Sequence, residues 1–333
     1  METTTNPASV ANRQQRYFDR MLLEHAVNEL RLSEFAMKRD LPRKMGTLDM
    51  RFFRRQVADE SNVVTLTEGT PPNQYVENDM EHVDVTLAQL GEVTKLSDIR
   101  SEIDIFNALD QNIELMAEDA ALKCDSIVRN AILSGMLNSD NVHERFGAIT
   151  PTGDSSADFT TLDPAAAASH QITRARALGN LTALKVAKAP RYNGNYICIL
   201  PPQLEHDMRQ DSTIEAAWTR SDVKKLYADE LGVVDGIRYV SATNPFIESN
   251  TYGTYNAAGD IFAALFFGKN AFGCPKLKGT SSPHKPSVII NDKPDKSDPL
   301  NQFIVAGWKA LYAGVLLNSA FCTVHRFKST WQG

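Results

Sequence analysis

Apolar positions recur with helical spacing along one long stretch, from Ser97 to about Leu137. Ile99, Ile103, Phe106, Ile113, Met116, Ala120, Cys124, Ile127 and Ala131 mostly fall three or four residues apart, which predicts a helix burying one face. Ser97-Asp98 offer N-cap chemistry, Gly135 is the first residue with stop character, and no proline interrupts the run. At about 1.5 Å per residue such a helix spans roughly 60 Å, longer than a small domain is wide. The stripe lacks sustained heptads, which argues against a coiled coil. Glu102, Asp104, Asp110, Glu114, Glu118, Asp119, Lys123 and Asp125 exclude a bilayer span. The expectation is a spine on which sheets and loops lie, in a flat, elongated molecule.

Before the spine, Phe18, Leu22, Ala26, Leu30 and Met37 predict a first helix over Ala11 to Lys38, ended at Leu41-Pro42. From Gly46 the period shortens to two: Leu48, Met50 and Phe52 alternate with Asp49, Arg51 and Phe53. Val63, Val64, Leu66 and Thr67 read as a returning strand, closed by the turn Glu68-Gly69-Thr70-Pro71-Pro72. Val83, Val85 and Leu87 resume the alternation, so the segment predicts a hairpin with a long polar connection.

After the spine, Asn138 to Leu162 is a polar crossover, and Asp163-Pro164 opens an alanine-rich helix to about Val186. A buried strand at Tyr196 to Leu200, a helix after Pro201-Pro202, a helical Ser221 to Leu231, and strands at Ile237 to Val240 and Ile261 to Phe267 make Ala148 to Gly279 a small α/β domain. Gly279 to Pro299 is a proline-punctuated excursion with a short strand at Ser287 to Ile290. Phe303 to Phe327 is mostly apolar. Two strands meeting near Asn318-Ser319 and packing on the spine fit it better than a membrane span, given Lys309, Gly307 and Gly314.

Charge sharpens the hairpin. Lys38, Arg39, Arg43, Lys44, Arg51, Arg54 and Arg55 are basic, whereas Gln56 to Thr94 holds no lysine or arginine and carries eight carboxylates, from Asp59 to Glu92. Two readings stand: solvated faces of one ribbon, or complementary patches through which copies recognise each other. A net charge of −6 argues against a free-standing nucleic-acid binder. Cys124, Cys198, Cys274 and Cys322 stand apart among apolar neighbours and read as buried free thiols, and Met1 to Asn12 shows no secretory signal.

Catalytic and metal motifs are missing. Gly268-Lys269 lacks the spacing of a phosphate-binding loop, and GxGxxG, GxSxG and HExxH do not occur. His25 with Glu29 lacks further ligands, and His143-Glu144 and His325-Arg326 read as surface polar pairs. No cofactor and no catalytic residue is assigned.

The order of these parts resembles the major capsid proteins of tailed bacteriophages with the HK97-type fold, most of all the branch typified by the phage N-four protein. The residues that carry the resemblance are the strand Gly46 to Arg55, Leu66 to Pro72, Val83 to Leu90, Ser97-Asp98-Ile99 opening a long helix, Leu231 to Ser241, and the closing Gly307-Trp308-Lys309 to Val324. The resemblance implies an α+β, HK97-like fold. Residues 1–45 would be an N-arm with the first helix, 46–95 an extended E-loop hairpin, and 96–147 the spine helix of a P-domain. Residues 148–279 would be an α/β A-domain, and 280–333 would return strands to the P-domain.

It implies a structural subunit, not an enzyme, that assembles as hexamers and pentamers into an icosahedral shell around double-stranded DNA. The virion would be its location and the host bacterial cytoplasm its place of assembly. Expected partners are other copies of the chain, a separate scaffolding protein, a portal and a decoration or cement protein, with DNA by proximity only and no membrane. Some relatives weld neighbours through a lysine on the hairpin. Gly46 to Thr94 has none, so a noncovalent shell is expected, held where Arg51, Arg54 and Arg55 meet Glu68, Glu77 and Glu81. An encapsulin-like nanocompartment shell is the nearest alternative, and a soluble α/β enzyme the more distant one.

Overall fold

The computed structural model describes residues 17–22, 31–40, 48–55, 63, 65–66, 68–69, 80–97, 99, 103, 108–137, 172–220, 229–242, 246–247, 261–276, 287–291, 299–300 and 302–328. In chain order the elements are α1 (Leu32–Phe35), β1 (Met37–Arg39), β2 (Asp49–Arg55), β3 (Met80–Thr86), β4 (Ala88–Ser97) and the spine α2 (Ala108–Leu137). Then come α3 (Arg174–Val186), β5 (Tyr196–Leu200), α4 (Pro202–Gln210), α5 (Ser212–Arg220), β6 (Glu230–Val234), β7 (Ile237–Ser241), β8 (Phe246–Ile247) and β9 (Ile261–Phe267). The chain closes with β10 (Phe272–Pro275), β11 (Ser287–Asn291), β12 (Phe303–Tyr312), β13 (Val315–Leu316) and β14 (Cys322–Lys328).

The spine is one helix over its 30 described residues. Its buried stripe is Ile113, Met116, Ala117, Ala120, Ala121, Cys124, Val128, Ile132 and Met136. The second half of that stripe lies one position beyond the expected Ile127 and Ala131. Ser97 ends β4 opposite Phe303, and Asp98, the other half of the expected cap, lies outside the described residues. Ile99 and Ile103 are helical but exposed, so the buried face begins later than the spacing implied. Gly135 does not stop the helix either. A Cβ there would lie 2.9 Å from the Leu316 side chain, so this glycine lets β13 approach the spine. Gly314 does the same from the other side: a Cβ would sit 2.8 Å from Val128 Cα.

Residues 17–22 are helical, as expected, and Leu22 is buried. Met37 and Lys38, expected in the same helix, form β1 instead, parallel to β10. The returning strand expected at Val63 to Thr67 is absent at the described positions 63, 65 and 66, and Val63 and Leu66 are exposed. The crossover at Asn138 to Leu162, the Asp163-Pro164 helix start, His25-Glu29 and His143-Glu144 lie outside the described residues.

Two sheets carry most of the body. β11, β12 and β4 form an antiparallel sheet in which β12 pairs along its whole length with β4, from Phe303 opposite Ser97 to Tyr312 opposite Ala88. The second sheet has the order β14-β9-β5-β7-β6, with β8 beside β9. Only β5 and β7 are parallel, joined through α4 and α5. One face of this sheet packs with Leu181, Leu184, Leu204 and Met208 of the helices, and the other shares a core with the spine. Burial on both faces explains the unbroken apolar runs Tyr196–Leu200 and Ile261–Phe267.

Glu230 and Leu231 were expected in a helix, yet they start β6. The Asp235-Gly236 turn, both residues at positive φ (54° and 87°), folds β6 onto β7 as a tight hairpin. The two closing strands also part company: β12 ends at Tyr312, and β14 joins β9 in the six-stranded sheet. His325 is therefore no surface residue. It is buried on β14, its ring stacked on Phe327 at 4.2 Å, with Nδ1 2.9 Å from Asn180 Nδ2 of α3. All four cysteines are buried free thiols, and burial pushes Cys124 up to about 12 and Cys274 up to about 11. Among the described residues no helix is long and apolar enough to cross a membrane.

Candidate assembly surface

β2 and β3 form a two-stranded ribbon in strict register, from Asp49 opposite Thr86 to Arg55 opposite Met80. With a side-chain period of two, Met50, Phe52, Val83 and Val85 face one way, and Arg51, Phe53, His82 and Asp84 the other. The apolar face roots the ribbon on the chain's own body, against Leu311, Ala313, Val315 and Leu317. Phe52 is fully buried, and Gly273 makes room for it: a Cβ there would stand 2.8 Å from the Phe52 ring. Arg54 adds a polar fastening, donating from Nη1 to the Leu317 carbonyl at 2.7 Å. Arg39 lies over the Phe53 ring at 5.1 Å and donates to the Arg51 carbonyl.

The charges seen in the sequence meet across the two strands. Arg51 grips Asp84 with two hydrogen bonds of 2.8 Å, from Nε to Oδ1 and from Nη2 to Oδ2. Arg54 pairs with Glu81 at 2.5 Å, and Thr86 Oγ1 donates to Asp49 at 2.7 Å. Of the six residues expected at contacts between subunits, the structure thus brings Arg54 and Glu81 together within one chain. It gives Arg51 an internal partner that the sequence reading did not single out, Asp84. Arg55 ends β2, Glu68 sits in the turn with Gly69 at φ 81°, and Glu77 lies outside the described residues.

The hydrogen bonds from Arg51 hold the Asp84 carboxyl below the usual carboxylate range, and Asp84 in turn raises Arg51. A depressed carboxyl supports the ribbon above the ordinary carboxylate range, and that support disappears as pH falls through the depressed value. In an NMR titration of the Asp84 side chain, Arg51→Gln should therefore move its midpoint upward. An unchanged midpoint would show that the pair does not persist in solution.

A second surface lies on the outward face of the β11-β12-β4 sheet. It is a shallow groove of about 470 Å³ lined in part by Gly91, Val93, Ile289, Val305, Gly307 and Lys309. Ile289, Gly307 and Val93 lie in register across the three strands, so the two glycines leave the floor low between aliphatic walls. Lys309 and the neighbouring Lys95 are exposed, while Glu92 accepts from Trp308 Nε1 at 3.3 Å. The sequence reading did not single out this groove. Its signal was the pair Gly91 and Gly307 inside otherwise regular strand patterns. Among the described residues no group of three or more His, Cys, Asp or Glu side chains is placed to hold a metal ion.

No protein-family model matches the chain, and no curated protein matches it by sequence. Solved structures do match. The capsid of the cyanophage P-SCSP1u aligns over 87% of this chain and 86% of its own, at 15% identity and a TM-score of 0.55. The capsid of Ralstonia phage GP4 aligns over 86% and 85%, at 13% identity and a TM-score of 0.56. The SrpI encapsulin of Synechococcus elongatus PCC 7942 aligns over 85% and 84%, at 13% identity and a TM-score of 0.50. The chain has the α+β, HK97-type fold of shell-forming proteins.

Proposed function

We propose that this protein is the major capsid protein of a tailed bacteriophage, a structural subunit that self-assembles as hexamers and pentamers into an icosahedral shell around double-stranded DNA. The observation that carries this reading is the match to two phage capsid subunits along almost the whole chain, with the ribbon, spine and six-stranded sheet all present. Its work is geometric, and no catalytic step is assigned to it.

In this reading the far end of the ribbon, residues 56–79, lies across a neighbouring copy. That segment has no lysine or arginine, carries Asp59, Glu60, Glu68, Glu77 and Asp79, and exposes Val63 and Leu66. The groove between Val93, Ile289 and Val305, with Lys95 and Lys309 beside it, offers apolar walls and opposite charge. Glu68, Glu77 and Arg55 are proposed contact residues, while Arg51 and Arg54 form matched pairs with Asp84 and Glu81. A separate scaffolding protein, a portal and a decoration or cement protein complete the set of partners. The virion is the location, with assembly in the host bacterial cytoplasm.

The match to the Synechococcus encapsulin favours one further reading, a nanocompartment shell. The two differ in what is enclosed, DNA or a protein cargo. Electron microscopy of the full-length chain, alone and co-expressed with its scaffolding protein, should show closed icosahedral particles that run at monomer mass on denaturing gels. A small monodisperse oligomer under both conditions would overturn the shell reading, and a covalent ladder would overturn the noncovalent one.

A further inference from the structure

Residues 31–40 cross the joint between the spine and the six-stranded sheet. They comprise a four-residue helical turn and a three-residue edge strand, neither long enough to hold its shape alone. The first N–H groups of a helix lack internal partners, and no side chain of the segment caps α1. The cap comes from the spine. Asp125 Oδ2 accepts from the main-chain N–H of Arg31 at 2.9 Å and of Leu32 at 3.3 Å, and Oδ1 accepts from the N–H of Ser33 at 3.4 Å and its hydroxyl at 3.2 Å.

From that fastening the segment reaches every neighbouring part. The Ser33 hydroxyl lies 2.8 Å from Tyr312 Oη on β12, and the Arg31 guanidinium pairs with Asp229 before β6 at 2.5 Å. Phe35 is buried edge-on against Tyr192 and Phe267, and Tyr192 Oη donates to its carbonyl. β1 runs beside β10, and the Arg39 carbonyl accepts from Lys276 N at 2.8 Å.

We propose that residues 31–40 are a strap across this joint, fastened at Asp125 and detaching from the spine and β10 as one unit. The strap rests on the subunit's own contacts.

Hydrogen exchange of the full-length, unassembled chain tests it. Asp125→Ala should speed exchange at least tenfold at the amides of residues 31–39 and at their β10 partners, leaving β5, β7 and β9 as protected as before. Ser33→Ala should give a smaller increase at the same amides, and Asp235→Ala, which breaks a surface pair with Arg174, should leave them unchanged. Uniform acceleration across both sheets, or unchanged protection at 31–39, would overturn the strap. If Asp125→Ala does not fold, Ser33→Ala decides: a local increase supports the strap and none overturns it. Exchange is read on single subunits, so failure of the wild type to build shells would overturn the functional reading and leave this result standing.

Discussion

Glu230→Ala should destabilise the protein by about 3–5 kcal/mol, because it takes away the carboxylate that neutralises the buried Arg238 guanidinium. Glu230 and Arg238 lie on neighbouring strands at the edge of the six-stranded sheet, with side chains 1% and 4% exposed. Arg238 Nη1 donates to both carboxylate oxygens, at 2.6 and 2.7 Å. Arg209→Ala, which removes the exposed partner of Glu205, should by contrast cost about 1 kcal/mol or less. The double variant Glu230→Leu/Arg238→Met should recover most of the loss, since apolar replacement of a whole buried pair is often neutral or better. Urea denaturation of the unassembled subunit gives all three values. A Glu230→Ala cost no larger than that of Arg209→Ala would show that water reaches the pair.

Phe52→Ala is the second large effect, about 3–5 kcal/mol as for other fully buried aromatic side chains. Its position makes the consequence wider than stability. Phe52 seats the ribbon over Gly273, while Arg54 and the Arg51–Asp84 pair sit on either side of it along the strand. Losing the ring should leave the ribbon poorly aimed, and on the proposed shell function closed particles should then fall in yield more than the melting temperature alone accounts for. Val83→Ala, which trims a half-buried neighbour in the same cluster, should cost less and leave particle yield nearly intact. Equal losses of yield in the two variants would sever ribbon aim from Phe52.

Periodicity made the local elements readable and left their partners hidden. The spine over Ala108–Leu137, the ribbon strands β2 and β3 and the apolar runs at Tyr196 and Ile261 are written in spacings of three to four or of two and form as helix and strands. The returning strand read at Val63 to Thr67, by contrast, is absent at its described positions. Three features escaped because they depend on residues far away. Gly135 and Gly314 look like punctuation until the strand that slides past the spine is known. Asp125 looks like one more solvated carboxylate, yet it falls four residues after buried Ala121, on the apolar stripe, where a charge calls for a partner. His325 seemed exposed because it precedes arginine, although the alternation Thr323, His325, Phe327 on one strand face already pointed inward. Asp235-Gly236 is a further local signal, a hairpin turn that follows directly on residues whose composition suggests helix. At the candidate surface, the charges were legible but their pairing across the ribbon followed only from register.

Strand order has a consequence for biogenesis. β4 waits for β12, β1 for β10, and β9 for β14, so early parts of the polypeptide find their mates only after residues beyond 270 have left the ribosome. Such long-range topology folds slowly. Until then the nascent chain presents unfinished sheet edges, the surfaces that invite aggregation and the attention of chaperones. A prematurely terminated product would lack β14 and could not complete the central sheet, so incomplete translation products should be degraded rather than accumulate.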